Sequence, residues 1–169
     1  MRSKILSNTR KGFTLIELII VIAIIIILIG IAVPLSAGYI TERNVYNAAT
    51  QVQQDLLLAQ NLAITHSTES KFKITFNDTK SYIYDVDESG TKTVSRNLGS
   101  SINIYDLKID DTSISLPKSF NFDNQGRLHQ TGVSNTCSIE VYLQLSNGTK
   151  QIKIVVSPIG RVIVDWVTK

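Results

Sequence analysis

Cysteine occurs once in this 169-residue chain, at Cys137. One thiol excludes an internal disulfide and a cysteine-based zinc cluster. The fold must therefore rest on its core. Histidine is nearly as scarce, with only His66 and His129. No Ser-His-Asp order, metal-ligand spacing or phosphate-binding glycine loop accompanies them. These absences argue against an enzyme and imply no cofactor and no metal. Acidic residues are missing before position 13, where Arg2, Lys4, Arg10 and Lys11 stand. Outside that stretch 13 basic residues face 14 acidic ones, so the net charge of +3 belongs to the N-terminus. A near-neutral body argues against general nucleic-acid binding driven by net charge.

What the chain has in excess is one apolar run. Residues 13–33 contain sixteen Ile, Leu, Val or Phe residues and a single charge, Glu17. As a helix the run reaches about 31 Å, enough to cross a bilayer core. Its large side chains contribute roughly −5 to −9 kcal/mol to insertion, against about +3 for a mid-membrane acid. Insertion wins with Glu17 in place. The preceding cations hold the N-terminus in the cytoplasm and send the remainder outside. A cleaved secretory signal fits less well, because its apolar core is shorter and Leu35-Ser36-Ala37 is a poor cleavage sequence. Glu17 is costly in lipid and calls for a partner. A cut between Gly12 and Phe13 would free an amine one helical turn from it, within a chain or between neighbours. The plainer alternative is an interfacial acid that reaches back to water.

Neither glycine nor proline interrupts residues 39–66. Val45, Ala49, Val52, Leu56, Ala59 and Ala63 step by four and three, one apolar stripe on a helix. Three alanines and few flanking charges favour packing on the chain's own sheet over a free coiled coil. From residue 71 the period changes to two. Phe72, Ile74 and Phe76, then Tyr82, Tyr84 and Val86, alternate with polar residues across a hairpin turn at 78–81. Further strands are expected at 102–109, 113–116, 119–123, 137–146, 149–157 and 161–167. Turns are expected at Ser89-Gly90, Asn124-Gln125-Gly126, Asn147-Gly148 and Pro158-Ile159-Gly160. Asn147-Gly148 reads as a tight two-residue hairpin. The acidic pairs in 85–88 and Asp110-Asp111 read as solvated turn charges rather than a calcium site. Cys137 reads as a small buried hydrophobe.

Lys11-Gly12-Phe13-Thr14-Leu15-Ile16-Glu17, followed by the apolar helix, resembles the class III signal of type IV prepilins and type II secretion pseudopilins. Two shorter segments, Phe120 to Arg127 and Ser157 to Val162, are similar to the strand-turn and Gly-Arg-Val ending of GspH/FimT-type pseudopilins. The resemblance implies an α+β, pilin-like fold, with a long N-terminal helix packed on a C-terminal antiparallel sheet. It divides the chain into a leader (1–12), a membrane and assembly half-helix (13–38), an amphipathic half-helix (39–66) and a β-rich head (67–169). It implies cleavage after Gly12 by a prepilin peptidase, N-methylation of Phe13, a role for Glu17 in assembly and a helix bend at Pro34. The partners it implies are that peptidase, other pilin subunits and, before assembly, membrane lipid. The implied place is a single pass through the cytoplasmic membrane with the head outside, then an extracytoplasmic filament. The implied function is a structural minor pilin or pseudopilin subunit. The alternative is a DNA receptor of an uptake filament, with Lys150, Lys153, Arg161 and Lys169 touching DNA.

Overall fold

The computed structural model describes residues 13–66, 72–87, 89–148 and 150–167, with residues 33–37 described for their backbone alone. Two compact units make up the chain, Met1–Ile40 and Thr41–Lys169. One helical segment, α1 (Leu15–His66), contributes to both. The helical assignment runs through Pro34, so the helix does not end there.

In the second unit, the six stripe residues Val45, Ala49, Val52, Leu56, Ala59 and Ala63 are all fully buried. The alternation of three and four residues puts them on one face. Ala49, Ala59 and Ala63 keep that face shallow, while buried Val45, Val52 and Leu56 each contribute roughly 1.5–3 kcal/mol. They join one core with side chains from nine of the ten strands.

The strands are β1 (Lys73–Phe76), β2 (Ser81–Asp85), β3 (Thr93–Asn97), β4 (Ile102–Ile109), β5 (Thr112–Ser113), β6 (Lys118–Phe122), β7 (Leu128–Gln130), β8 (Ile139–Leu145), β9 (Gln151–Val156) and β10 (Val162–Trp166). They form two antiparallel sheets, ordered β3-β2-β1-β6-β7 and β10-β9-β8-β4-β5. The sequence pattern announces one sheet, because alternation marks which residues face inward and not which strand pairs with which. In β8 and β9 the buried residues alternate strictly, Ile139, Val141, Leu143 and Leu145 against Ile152, Ile154 and Val156. In β1 and β2, Ile74, Phe76, Tyr82 and Tyr84 do the same.

Two strands escape the alternation reading. The strand β3, Thr-Val-Ser-Arg-Asn, lies at a sheet edge and buries no residue fully. The strand β7 has only three residues. The expected strand at 113–116 shrinks to Thr112–Ser113, and that at 137–146 begins at Ile139.

The turns differ in an instructive way. At 78–81 the Asp78 carboxylate accepts the Lys80 and Ser81 amides at 2.6 and 2.8 Å and the Ser81 hydroxyl at 2.9 Å. These bonds hold its pKa below the usual carboxylate range. Asn147-Gly148 does not make the expected two-residue hairpin. Only Gly148 has positive φ, and its amide bonds the Leu145 carbonyl, which makes a longer loop. The two-residue hairpin occurs instead at Asp110-Asp111, between paired Ile109 and Thr112. Both aspartates have positive φ, 45° and 67°, as a type I′ turn requires. Asp110 Oδ1 also accepts the Ser138 amide and hydroxyl, each at 2.8 Å. Asp111→Gly should therefore relieve left-handed strain and stabilise the protein by about 0.5 kcal/mol, read as an upward shift in the thermal unfolding midpoint. A downward shift would contradict the turn assignment.

A buried polar network fastens α1 to the first sheet. Asp55, only 5% exposed, accepts the Tyr82 hydroxyl at 2.7 Å and Arg96 Nε at 3.1 Å. Arg96 also donates to the Tyr84 hydroxyl at 3.2 Å. Burial, then the Asp55 carboxylate, push the Tyr82 hydroxyl pKa well above its ordinary value. Asp55→Ala leaves a phenol and a guanidinium without their acceptor. The expected loss is about 3 kcal/mol in denaturant unfolding, against under about 1 kcal/mol for an exposed helix site such as Asn61→Ala.

Candidate assembly segment

The described part of the first unit begins where the apolar run begins. Thr14 acts as N-cap of α1. The Glu17 amide bonds Thr14 Oγ1 at 3.3 Å, while Glu17 Oε2 receives the Thr14 amide and hydroxyl, each at 3.4 Å. This is a capping box, a threonine and a glutamate three residues apart that satisfy each other's orphan donors. It gives Glu17 a partner within the chain, one that the sequence reading did not assign although its signature is local. From Leu15 to Ala32 the helix is apolar and long enough to cross a membrane. The large side chains from Phe13 to Ile31 are all exposed, between 46% at Val21 and 85% at Phe13. That is the surface a lipid bilayer or a bundle of like helices would cover. Gly12, and with it the bond expected to be cut, lies outside the described residues.

In the second unit, the glycine turns at Gly126 and Gly160 meet at one place. Gly126 (φ 76°) closes the β6–β7 turn and Gly160 (φ 80°) closes the β9–β10 turn. Gln60 of α1 donates from Nε2 to the Gly126 carbonyl at 2.8 Å. A side chain on Gly160 would overlap that same carbonyl and the Gln60 amide. The Leu128 amide bonds the Pro158 carbonyl at 3.0 Å, tying the two sheets beside this junction. Neither the role of Gln60 nor the meeting of the two turns is legible from local sequence.

Beside it stands a polar cleft of about 450 Å³, lined by Asn121, Asp123, Arg127, His129 and residues 132–134. Asp123 Oδ1 accepts the Gln125 and Arg127 amides at 2.9 and 2.8 Å. Asp123 Oδ2 takes Arg127 Nε at 2.7 Å and His129 Nε2 at 3.2 Å. Burial raises the carboxyl pKa, but the Arg127 bonds, then His129 and Gln125, outweigh it and hold it at about 2.

The basic residues assigned to DNA contact do not form one free patch. Lys150 pairs with Glu42 at 3.3 Å and lies 5.9 Å from the centre of the Trp166 ring. Lys153 pairs with Glu140 at 3.0 Å. Arg161 is exposed, and Lys169 lies outside the described residues. The other acids serve turns: Asp87 accepts Ser89, Thr91 and Lys92, while Glu88 lies outside the described residues. Cys137 is buried before β8 opens, and burial, then Asp110, push its pKa up to about 11.

Residues 7–33 match the prokaryotic N-terminal methylation motif. A fimbrial protein of Moraxella nonliquefaciens is 45% identical over 73 residues, 43% of each chain. The match thus spans less than half the length of that relative. No solved structure matches significantly. An apolar helix with its N-terminus in a capping box, a matched methylation motif and an α+β head of two antiparallel sheets converge: the chain carries the prokaryotic N-terminal methylation motif on an α+β, pilin-like fold.

Proposed function

We propose that this chain is a structural minor pilin or pseudopilin subunit, of the GspH/FimT type. It is made with residues 1–12 as a basic leader. A prepilin peptidase cuts after Gly12 and Phe13 becomes the N-methylated terminus. The helix from 13 to 38 holds the protein in the cytoplasmic membrane with its head outside, then packs among like helices in a filament. Pro34 supplies a bend in that helix, since it removes one backbone hydrogen bond. The chain has no catalytic part of its own and is the peptidase's substrate. The observation that carries the reading is the methylation motif joined directly to a helix whose large apolar side chains from Leu15 to Ile31 are all exposed. The two pseudopilin-like glycine turns support the subtype. The DNA-receptor alternative draws less support, because Lys150 and Lys153 already face carboxylates and phosphate binding needs several uncommitted cations.

Mass spectrometry of protein from its native membrane or filament tests the reading. The expected N-terminal peptide starts with N-methyl-Phe13. An intact Met1 terminus, or a cut near Ala37, would overturn it.

A further inference from the structure

The polar cleft on the first sheet holds groups that folding does not use. In β6, Phe120 and Phe122 face the core, so Asn121 between them faces the opposite side of the sheet. A side chain there is ordinarily wet, yet Asn121 is only 4% exposed. It lines the cleft opposite residues 132–134. The part of Asn121 that stays exposed opens into the cleft, where a ligand can reach its amide. Arg127 lines the same cleft. An amide and a guanidinium edge facing one cavity make a polar grip for a small group.

The chemistry of the cleft selects that occupant. Asp123 already receives four N–H groups, so it has no acceptor capacity left for a ligand hydroxyl. Its work is to hold Arg127 and His129 in place. Among the described residues Arg127 bonds Asp123 through Nε alone, and it remains 46% exposed with its Nη edge open to the cleft. Beyond Asp123 the cleft offers the Arg127 Nη edge, the Asn121 amide and the Ser134 hydroxyl, of which only the guanidinium is charged. A positive guanidinium edge favours an anion over a neutral saccharide. A phosphate dianion would bring two charges to one guanidinium that Asp123 already shares. A carboxylate matches the planar guanidinium edge with a single charge. A volume of about 450 Å³ lies within the range of small-ligand sites.

We propose that the cleft between β6 and residues 132–134 binds a carboxylate group, gripped by the Arg127 Nη edge and the Asn121 amide. The group can come from a small free acid or from the C-terminus of a peptide.

The test uses the full chain in detergent micelles, with imidazole NMR signals as the readout. The chain has two histidines, so His66 serves as the control for His129. Acetate should shift the His129 signals saturably and leave His66 unmoved, and acetamide should shift neither. Asn121→Ala should weaken acetate binding roughly tenfold, and Asn121→Asp should abolish it by placing a second negative charge in the cleft. Because the Asn121 side chain faces the cleft and not the core, both variants should keep the wild-type backbone amide spectrum. A short peptide with a free C-terminus that binds tighter than acetate, and loses this on amidation, identifies a peptide end. Equal binding of peptide and acetate identifies a small free acid. No saturable His129 shift, an equal shift with acetamide, or undiminished binding by Asn121→Ala would overturn the proposal.

Discussion

Gly160→Ala should destabilise the protein by about 3–5 kcal/mol, a large part of the whole stability of an ordinary domain. Two costs add. The residue sits at φ 80°, where an alanine pays roughly 1–2 kcal/mol against the right-handed regions. Its Cβ would also overlap the Gly126 carbonyl oxygen and the Gln60 side-chain amide. The carbonyl is backbone, and it cannot retreat without losing the 2.8 Å bond from Gln60. Relief must come from moving the β9–β10 turn off α1, which also threatens the Leu128 to Pro158 bond. Gly126→Ala should cost less, because its Cβ meets the movable ends of Ile64 and Gln60 at 2.9 and 3.0 Å. Gly99→Ala should cost only about 1–2 kcal/mol, since its φ is 94° but nothing lies within 4 Å. Thermal or denaturant unfolding of the full chain in detergent gives the ranking. If Gly160→Ala cost no more than Gly99→Ala, the junction would not be the rigid contact described here.

Glu17→Gln should lower the share of protein found in filaments by about tenfold or more, the scale expected when a charge pair in lipid loses one partner. The substitution separates two roles. Glutamine can replace glutamate in a capping box, so the start of α1 should keep its bonds to Thr14. Removing the charge also eases insertion, so the protein should still reach the membrane and still be cut after Gly12. On the proposed function, what should disappear is the attraction to the amine that cleavage frees on Phe13, its own or a neighbour's. The ratio of filament-bound to membrane-bound protein is the deciding measurement. An unchanged ratio would mean that Glu17 is there only to cap the helix. Glu17→Ala removes cap and charge together, and any further loss beyond Glu17→Gln measures the cap.

The sequence by itself determined the elements whose signals are local. A run of sixteen large apolar residues admits one structure in lipid, a helix, because lipid offers the backbone no other hydrogen-bond partners. The stripe from Val45 to Ala63 follows from the helical period alone, and every residue in it is buried. The same holds for the alternating strands β1, β2, β8 and β9 and for the Asp78 turn, whose bonds reach no further than Ser81. Tertiary structure decided what depends on partners far along the chain. The division into two sheets is a matter of pairing, which the inward or outward sense of a side chain does not encode. The edge strand β3 exists because β2 offers it a ladder, although its own residues bury little. Gln60 finds Gly126 across 66 residues, and Asp55 finds Arg96 across 41. No local period records such meetings. Asp110-Asp111 looked like solvated charge and Asn147-Gly148 like the tight hairpin, yet the roles are exchanged. The register of β4 on β5 imposes a two-residue link on the aspartates, while the β8–β9 register leaves room for a longer loop. Strand pairing sets the length of a turn, and the turn residues then adopt whatever φ that length demands.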